Sequence, residues 1–185
     1  MGMTVLAYTA SPRPDADSRR DTGYIIPGTG DPDGSIPSEW FSGLDKPALH
    51  HFLAQDLDHL LIAVPLTSKT THFLGAEEFA ILGKRNAFVT NISRGRIVDQ
   101  DAMIAALKKP EADGGLRGAA LDVADPEPLP AESELWAMEN VIVTPHVSGV
   151  SVSYAERSFD VLSTNLRRRE KGESMVNLVD RKKGY

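Results

Sequence analysis

The sequence contains no cysteine. That excludes a disulfide framework, a thiolate metal centre and a thiol nucleophile. It also fits a reducing, cytoplasmic compartment. Long apolar runs are lacking too. Leu60–Val64, followed by Pro65 and Leu66, and Ala102–Leu107 both fall far short of the roughly 20 residues a membrane-spanning helix needs. The N-terminal apolar stretch has no basic segment before it and reads as a short strand rather than a signal peptide. An excess of positive charge is missing as well. Twenty Lys and Arg stand against 26 Asp and Glu, a net charge of −6, which argues against a general nucleic-acid or membrane-surface role.

What is present is globular in composition, with 41% hydrophobic and 25% charged residues. A length of 185 residues suits one ordinary domain and is too short for two large ones. No internal repeat is evident.

Thr4–Tyr8 reads as a strand. Residues 10–45 hold most of the prolines and many glycines, and no helical or strand period persists there. The stretch reads as a long loop insertion, with one short strand around Tyr24–Ile26. From Lys46 the chain becomes regular. Lys46–Ala54 and Ala76–Leu82 read as helices. His59–Val64 and Ala87–Ile92 read as strands, the first apolar enough to be covered on both faces. Asp99 opens a helix that Pro110 stops. Ala119–Val123 and Val141–Thr144 are two more strands. The last helix starts at Ser153 with a capping box to Glu156, carries an apolar stripe of Ala155, Phe159, Leu162 and Leu166, and ends at Gly172. Strands alternating with helices predict an α/β fold: a Rossmann-like parallel sheet with helices on both faces. Residues 1–171 are assigned to one α/β domain and 172–185 to a C-terminal tail.

Three segments could carry chemistry, each directly after a strand, where open parallel sheets bind ligands. Asn91–Asp99 offers Arg94, able to grip a carboxylate through two parallel hydrogen bonds. It reads equally as a surface arginine bonded to loop carbonyls. Leu121–Leu129 holds Asp122, Asp125 and Glu127, with Pro126 and Pro128 stiffening the backbone. By itself this is an acidic, proline-fixed loop. Val143–Gly149 places His146 at the end of the last strand. Histidine is the usual acid–base group at neutral pH, although a lone one is more often structural. Together, an anion clamp, a carboxylate and an acid–base histidine at one sheet edge suit two-electron carbonyl chemistry. No metal site is expected.

These segments resemble the motifs of the D-isomer-specific 2-hydroxyacid dehydrogenases. Asn91–Asp99 resembles N-x-x-R-G-x-x-V-D, and Leu121–Pro128 is similar to L-D-V-x-x-x-E-P. Val143–Gly149 looks like T-P-H-x-(G/S)-G, and Val64–Thr70 resembles P-L-T-x-x-T. The match runs in family order from about residue 57 to 170. The resemblance implies NAD(P)-dependent interconversion of a small 2-oxo acid and a D-2-hydroxy acid, as in glyoxylate/hydroxypyruvate reductases. Arg94 would bind the substrate carboxylate and carbonyl. His146 would exchange a proton with the carbonyl oxygen. Glu127 would hydrogen-bond to His146, orient it and keep it protonated for reduction. Asp122 would hold the nicotinamide carboxamide or its ribose. Pro65, Thr70 and the Ile92 backbone would line the cofactor cleft, and Gly149 would let the nicotinamide approach.

The family's strand–glycine loop–helix unit is expected just before Gly2–Tyr8 and is not in this sequence, nor is the separate substrate domain. Gly28-Thr29-Gly30 opens no helix and fails as a substitute. The cofactor is NAD or NADP. After Tyr8 no carboxylate occurs until Asp15, while Ser11 and Arg13 could receive a 2′-phosphate, which favours NADP. A small 2-oxo or 2-hydroxy acid is the implied partner, and a homodimer is compatible with the family. The alternatives are a catalytically inactive nucleotide-binding or interaction module and a gene-model fragment.

Overall fold

A computed structural model describes residues 2–26 and 28–181. The last four residues of the expected C-terminal tail lie outside the described residues. The chain forms two compact units, one of residues 1–43 with 149–185 and one of residues 44–148.

The larger unit holds a four-stranded sheet in sequential order, all parallel: β3 (His59–Ile62), β4 (Phe88–Asn91), β5 (Gly118–Leu121) and β6 (Val141–Val143). Between them run α3 (Ala76–Gly83) and α4 (Gln100–Lys108), while α2 (Lys46–Leu53) precedes β3. Asp45 and Asp99 cap α2 and α4, each side chain accepting from the backbone N–H three residues on. Leu49, Phe79, Leu82, Val89, Met103 and Leu121 form the centre of the core. Each such side chain contributes roughly 1.5–3 kcal/mol when fully buried.

All crossovers step in one direction. With right-handed connections they place their helices on the same side of the sheet. Along β3, Leu60 and Ile62 are buried while Leu61 is 57% exposed, and Ile142 of β6 is 61% exposed on the same register row. The α/β, parallel, Rossmann-like class stands.

A buried ion-pair group joins α2 to α3. Glu78 is 1% exposed. It accepts from Lys46 Nζ at 2.9 Å and from the Gly75 N–H at 2.8 Å, and meets His50 Nε2 at 2.5 Å. Burial pushes the Glu78 carboxyl up, but the bonds from Lys46, His50 and Gly75 outweigh it and hold it below the ordinary glutamate value. The ligand atoms of His50, Glu77 and Glu78 lie within 4.8 Å of one another, yet the lysine ammonium already neutralises the buried carboxylate.

The smaller unit holds a parallel pair, β1 (Leu6–Thr9) and β2 (Glu39–Ser42). Residues 10–45 thus contain a strand, and also a one-turn helix, α1 (Ala16–Arg19), capped by Asp15. The strand expected around Tyr24–Ile26 is not formed; that segment is irregular. Trp40 and Phe41 give β2 its β-preference, but four residues are too few to show a period among so many prolines and glycines. Helix α5 (Tyr154–Glu170) ends as expected, with Gly172 at φ +71°. Its capping box is not formed: Ser153 sits at φ −90°, ψ 2° and its side chain caps nothing. Its apolar stripe is also open, with Phe159 69%, Leu162 52% and Leu166 51% exposed. Periodicity supplies an apolar face, not a surface to cover it.

Candidate active site

Asn91, Leu121 and Val143 share one register row at the carboxyl end of the sheet. Backbone bonds continue past the strands: Asp122 N–H to Asn91 O, Thr144 N–H to Leu121 O and His146 N–H to Asp122 O at 2.8 Å. The loops bearing Arg94, Glu127 and His146 therefore leave neighbouring strands at one edge.

His146 Nδ1 lies 2.6 Å from Glu127 Oε1. With the carboxylate as acceptor, Nδ1 carries the proton and Nε2 faces outward for a ligand oxygen. The two side chains are 42% and 38% exposed, open enough for a small molecule to reach. His146 adopts φ +54°, a left-handed conformation uncommon for a side chain of this size.

Arg94 is exposed on the β4 loop, and its Nη1 donates to Ser93 O at 2.6 Å. One guanidinium nitrogen is thus spent on a loop carbonyl. Asn91, only 1% exposed, shapes that loop. Its Oδ1 accepts from Ser93 N–H and Oγ–H, and its Nδ2 donates to Arg94 O. The sequence reading assigned Asn91 no such task. A buried amide at a strand end, two residues before a serine, was the available signal.

The residues expected to hold a cofactor are placed differently. Asp122 is 4% exposed and spends its carboxylate on Thr144, Val147 and Ser148. Burial pushes its carboxyl up, and the bonds from Ser148, Thr144 and Val147 outweigh this and hold it well below the ordinary range. The Thr70 hydroxyl, also buried, donates to Pro65 O at 2.8 Å and accepts from the Thr67 N–H at 2.7 Å. It supports the 65–71 loop from within. Ile92 is 40% exposed beside that loop, its N–H bonded to Ile62 O.

Ser11, Arg13 and Gly149 belong to the smaller unit. Arg13 Nη1 donates to Ser18 O at 2.6 Å, and its guanidinium lies 5.8 Å from the Trp40 ring centroid. A Cβ on Gly149 would meet open space, so no protein atom demands glycine there. Gly28 and Gly30 have positive φ but precede no helix, so this segment does not fit a pyrophosphate.

Comparison with known proteins follows the same lines. Residues 38–148 match the model of the D-isomer specific 2-hydroxyacid dehydrogenase, NAD binding domain family. The chain is 38% identical over 128 residues to a glyoxylate reductase of Korarchaeum cryptofilum, covering 69% of this chain and 37% of that protein. It is 46% identical over 99 residues to glyoxylate/hydroxypyruvate reductase B of Erwinia tasmaniensis, covering 54% and 29%. The D-isomer specific 2-hydroxyacid dehydrogenase of Xanthobacter autotrophicus Py2, solved with NADPH and MES, superposes with a TM-score of 0.74 at 34% identity, covering 100% of this chain and 64% of that one. An NADPH-dependent glyoxylate/hydroxypyruvate reductase of Sinorhizobium meliloti, solved with NADP and sulfate, gives 0.69 at 26%, covering 98% and 57%. The chain belongs to the D-isomer specific 2-hydroxyacid dehydrogenase family. It spans about a third of the length of these two curated relatives.

Proposed function

We propose that this protein takes part in NAD(P)-dependent reduction of a small 2-oxo acid, with glyoxylate and hydroxypyruvate as the first candidates, and in the reverse oxidation of the D-2-hydroxy acid. The observation that supports this most is the His146–Glu127 pair at 2.6 Å, on loops neighbouring that of Arg94. Arg94 binds the substrate carboxylate. His146 gives the Nε2 proton to the carbonyl oxygen on reduction and recovers it on oxidation. Glu127 holds the ring and balances its positive charge. The bound nicotinamide nucleotide supplies or accepts the hydride.

Residues 1–171 are read as part of the dinucleotide-binding domain. The finer expectations of NADP preference, a cytoplasmic setting and a homodimer belong to the same proposal. None of the described helices is long and apolar enough to cross a membrane.

Incubating the purified protein with NADPH or NADH and each oxo acid, while following nicotinamide absorbance, tests the reading. Turnover that falls about 10²–10⁴-fold in His146→Gln is expected. Nucleotide binding without turnover would favour a non-catalytic nucleotide-binding module. Neither binding nor turnover overturns the proposal.

A further inference from the structure

We infer that Asn91 is a positioning residue for Arg94, holding its guanidinium for the substrate carboxylate by way of the Ser93 carbonyl. The catalytic consequence rests on the reductase reading, but the geometry stands by itself.

Asn91 is the last residue of β4, in register with Ile62 on one side and Leu121 on the other. Its backbone is therefore held by two neighbouring strands. Its side chain, buried at the strand end, reaches over the three residues that follow. Oδ1 accepts from the Ser93 N–H at 3.0 Å and from the Ser93 hydroxyl at 2.8 Å, and Nδ2 donates to Arg94 O at 3.1 Å. These partners fix which end of the amide is which, because a backbone N–H only donates and a backbone carbonyl only accepts. The Ile97 N–H reaches the same Arg94 carbonyl at 3.3 Å, so the start of the short Gly95–Ile97 turn is tied to Asn91 as well.

The peptide between Ser93 and Arg94 lies between these two pinned groups. Its carbonyl, Ser93 O, is the one that takes Arg94 Nη1 at 2.6 Å. Asn91 thus sets the direction of a carbonyl, and the carbonyl holds one corner of the guanidinium. Arg94 itself has ordinary extended backbone, at φ −144° and ψ 142°. Its placement comes from these bonds and not from a special conformation. The chain of contacts runs from a rigid strand end, through one buried amide, to an exposed cation.

An aspartate at position 91 has the same shape and keeps both acceptor contacts, but it lacks the donor. Ionised, it sets a carboxylate oxygen against the Arg94 carbonyl. Protonated, its O–H can replace Nδ2. Burial raises the carboxyl pKa of such a variant, so the defect should follow pH. The test compares Asn91→Asp with the unaltered protein for kcat, KM for glyoxylate and nucleotide Kd, each as a ratio at about pH 5.5 and about pH 8.5, on either side of that raised pKa. The expected result at the higher pH is a KM at least tenfold higher, with kcat and nucleotide Kd each changed less than threefold. At the lower pH the KM ratio should fall below threefold. A KM ratio that is the same at both pH values overturns the inference, as does a nucleotide Kd raised tenfold with KM unaltered. Ser93→Ala removes only the hydroxyl bond to Oδ1 and serves if the aspartate variant does not fold. It is expected to raise KM two- to fivefold with kcat and Kd unchanged, and no change in KM overturns the inference. If the unaltered protein has no turnover, the reductase reading fails, and hydrogen exchange of the Ile97 amide decides the positioning role. Exchange at least tenfold faster in Asn91→Asp at the higher pH supports it, and an unaltered rate overturns it.

Discussion

Gly95 and Ala124 meet backbone to backbone: a Cβ on Gly95 would lie 1.9 Å from the Ala124 carbonyl oxygen. The loop carrying Arg94 is thereby pressed against the loop leading to Glu127. A second tie runs alongside, the Asp125 N–H donating to Gln100 Oε1 at 3.2 Å. The loops that carry Arg94 and Glu127, the histidine's partner, are thus held together.

Gly95→Ala is expected to force these loops apart, because both clashing groups are backbone. Overpacking of this kind costs about 1–3 kcal/mol. Thermal unfolding should show the loss, and steady-state kinetics should show kcat and KM both worsening, since both loops shift. An unchanged Tm with unchanged kcat/KM would refute the coupling.

Arg94→Ala should act mainly on substrate binding. Hydrogen bonds to a charged group are worth about 1.5–3 kcal/mol, so kcat/KM should fall about 10- to 100-fold. Arg94→Lys should recover only part of this, because an ammonium lacks the planar fork that matches a carboxylate. Full recovery by lysine would mean that charge alone matters at this position.

Glu78 makes a prediction about stability that is independent of function. Removing one partner of a buried ion pair is strongly destabilising, and Glu78→Ala should cost roughly 3 kcal/mol, the low end of the range because Lys46 is half exposed. Glu78 is held below its ordinary value in the folded protein. Its contribution is therefore complete above the unfolded glutamate pKa of about 4.3 and lost as pH falls through the lower folded value. Glu78→Gln should flatten the acid side of a stability–pH profile measured by denaturant unfolding. An acid limb of the same slope in the variant would count against it.

Arg13→Ala addresses the choice of cofactor. Arg13 and Arg19 both lie within 6 Å of the Trp40 ring centroid, at 5.8 and 5.9 Å, and Arg13 follows shortly after β1. If Arg13 receives a 2′-phosphate, the variant should raise the apparent KM for NADPH about tenfold, the worth of one charge-assisted bond of roughly 1.5 kcal/mol, and leave NADH nearly unaffected. Equal effects on both nucleotides would remove the basis for preferring NADP.

Much of the larger unit was legible in the sequence. Helix α4 announces itself through Asp99, whose side chain satisfies one of the first free N–H groups, and α2 falls within one residue of its expected span. Strands β3 to β6 are short apolar runs, and their expected ends fall within two residues of the structure. Strand β2 was not legible, since Glu39–Ser42 pairs with β1 across the 29 residues between Thr9 and Glu39, which hold no regular element but the one-turn α1. Nor was the exposure of Phe159, Leu162 and Leu166. A helical period says which side is apolar but not whether another element meets it.

At the candidate site the division is sharper. The sequence by itself determined the residue types and their order: Arg94, Glu127 and His146, each following a strand, because strand–loop–helix alternation fixes which end of a parallel sheet collects the loops. It also determined that no thiol takes part. Only the tertiary structure decided how the remaining polar residues are used. Asp122 and Thr70, expected to face a cofactor, are buried, Asp122 bonded to the loop that follows β6 and Thr70 to its own loop. Asn91, given no role, shapes the Arg94 loop. The physical reason is that a side chain's chemistry is local, whereas the partners that use up its lone pairs and protons come from neighbouring strands distant in sequence. Burial makes those bonds obligatory.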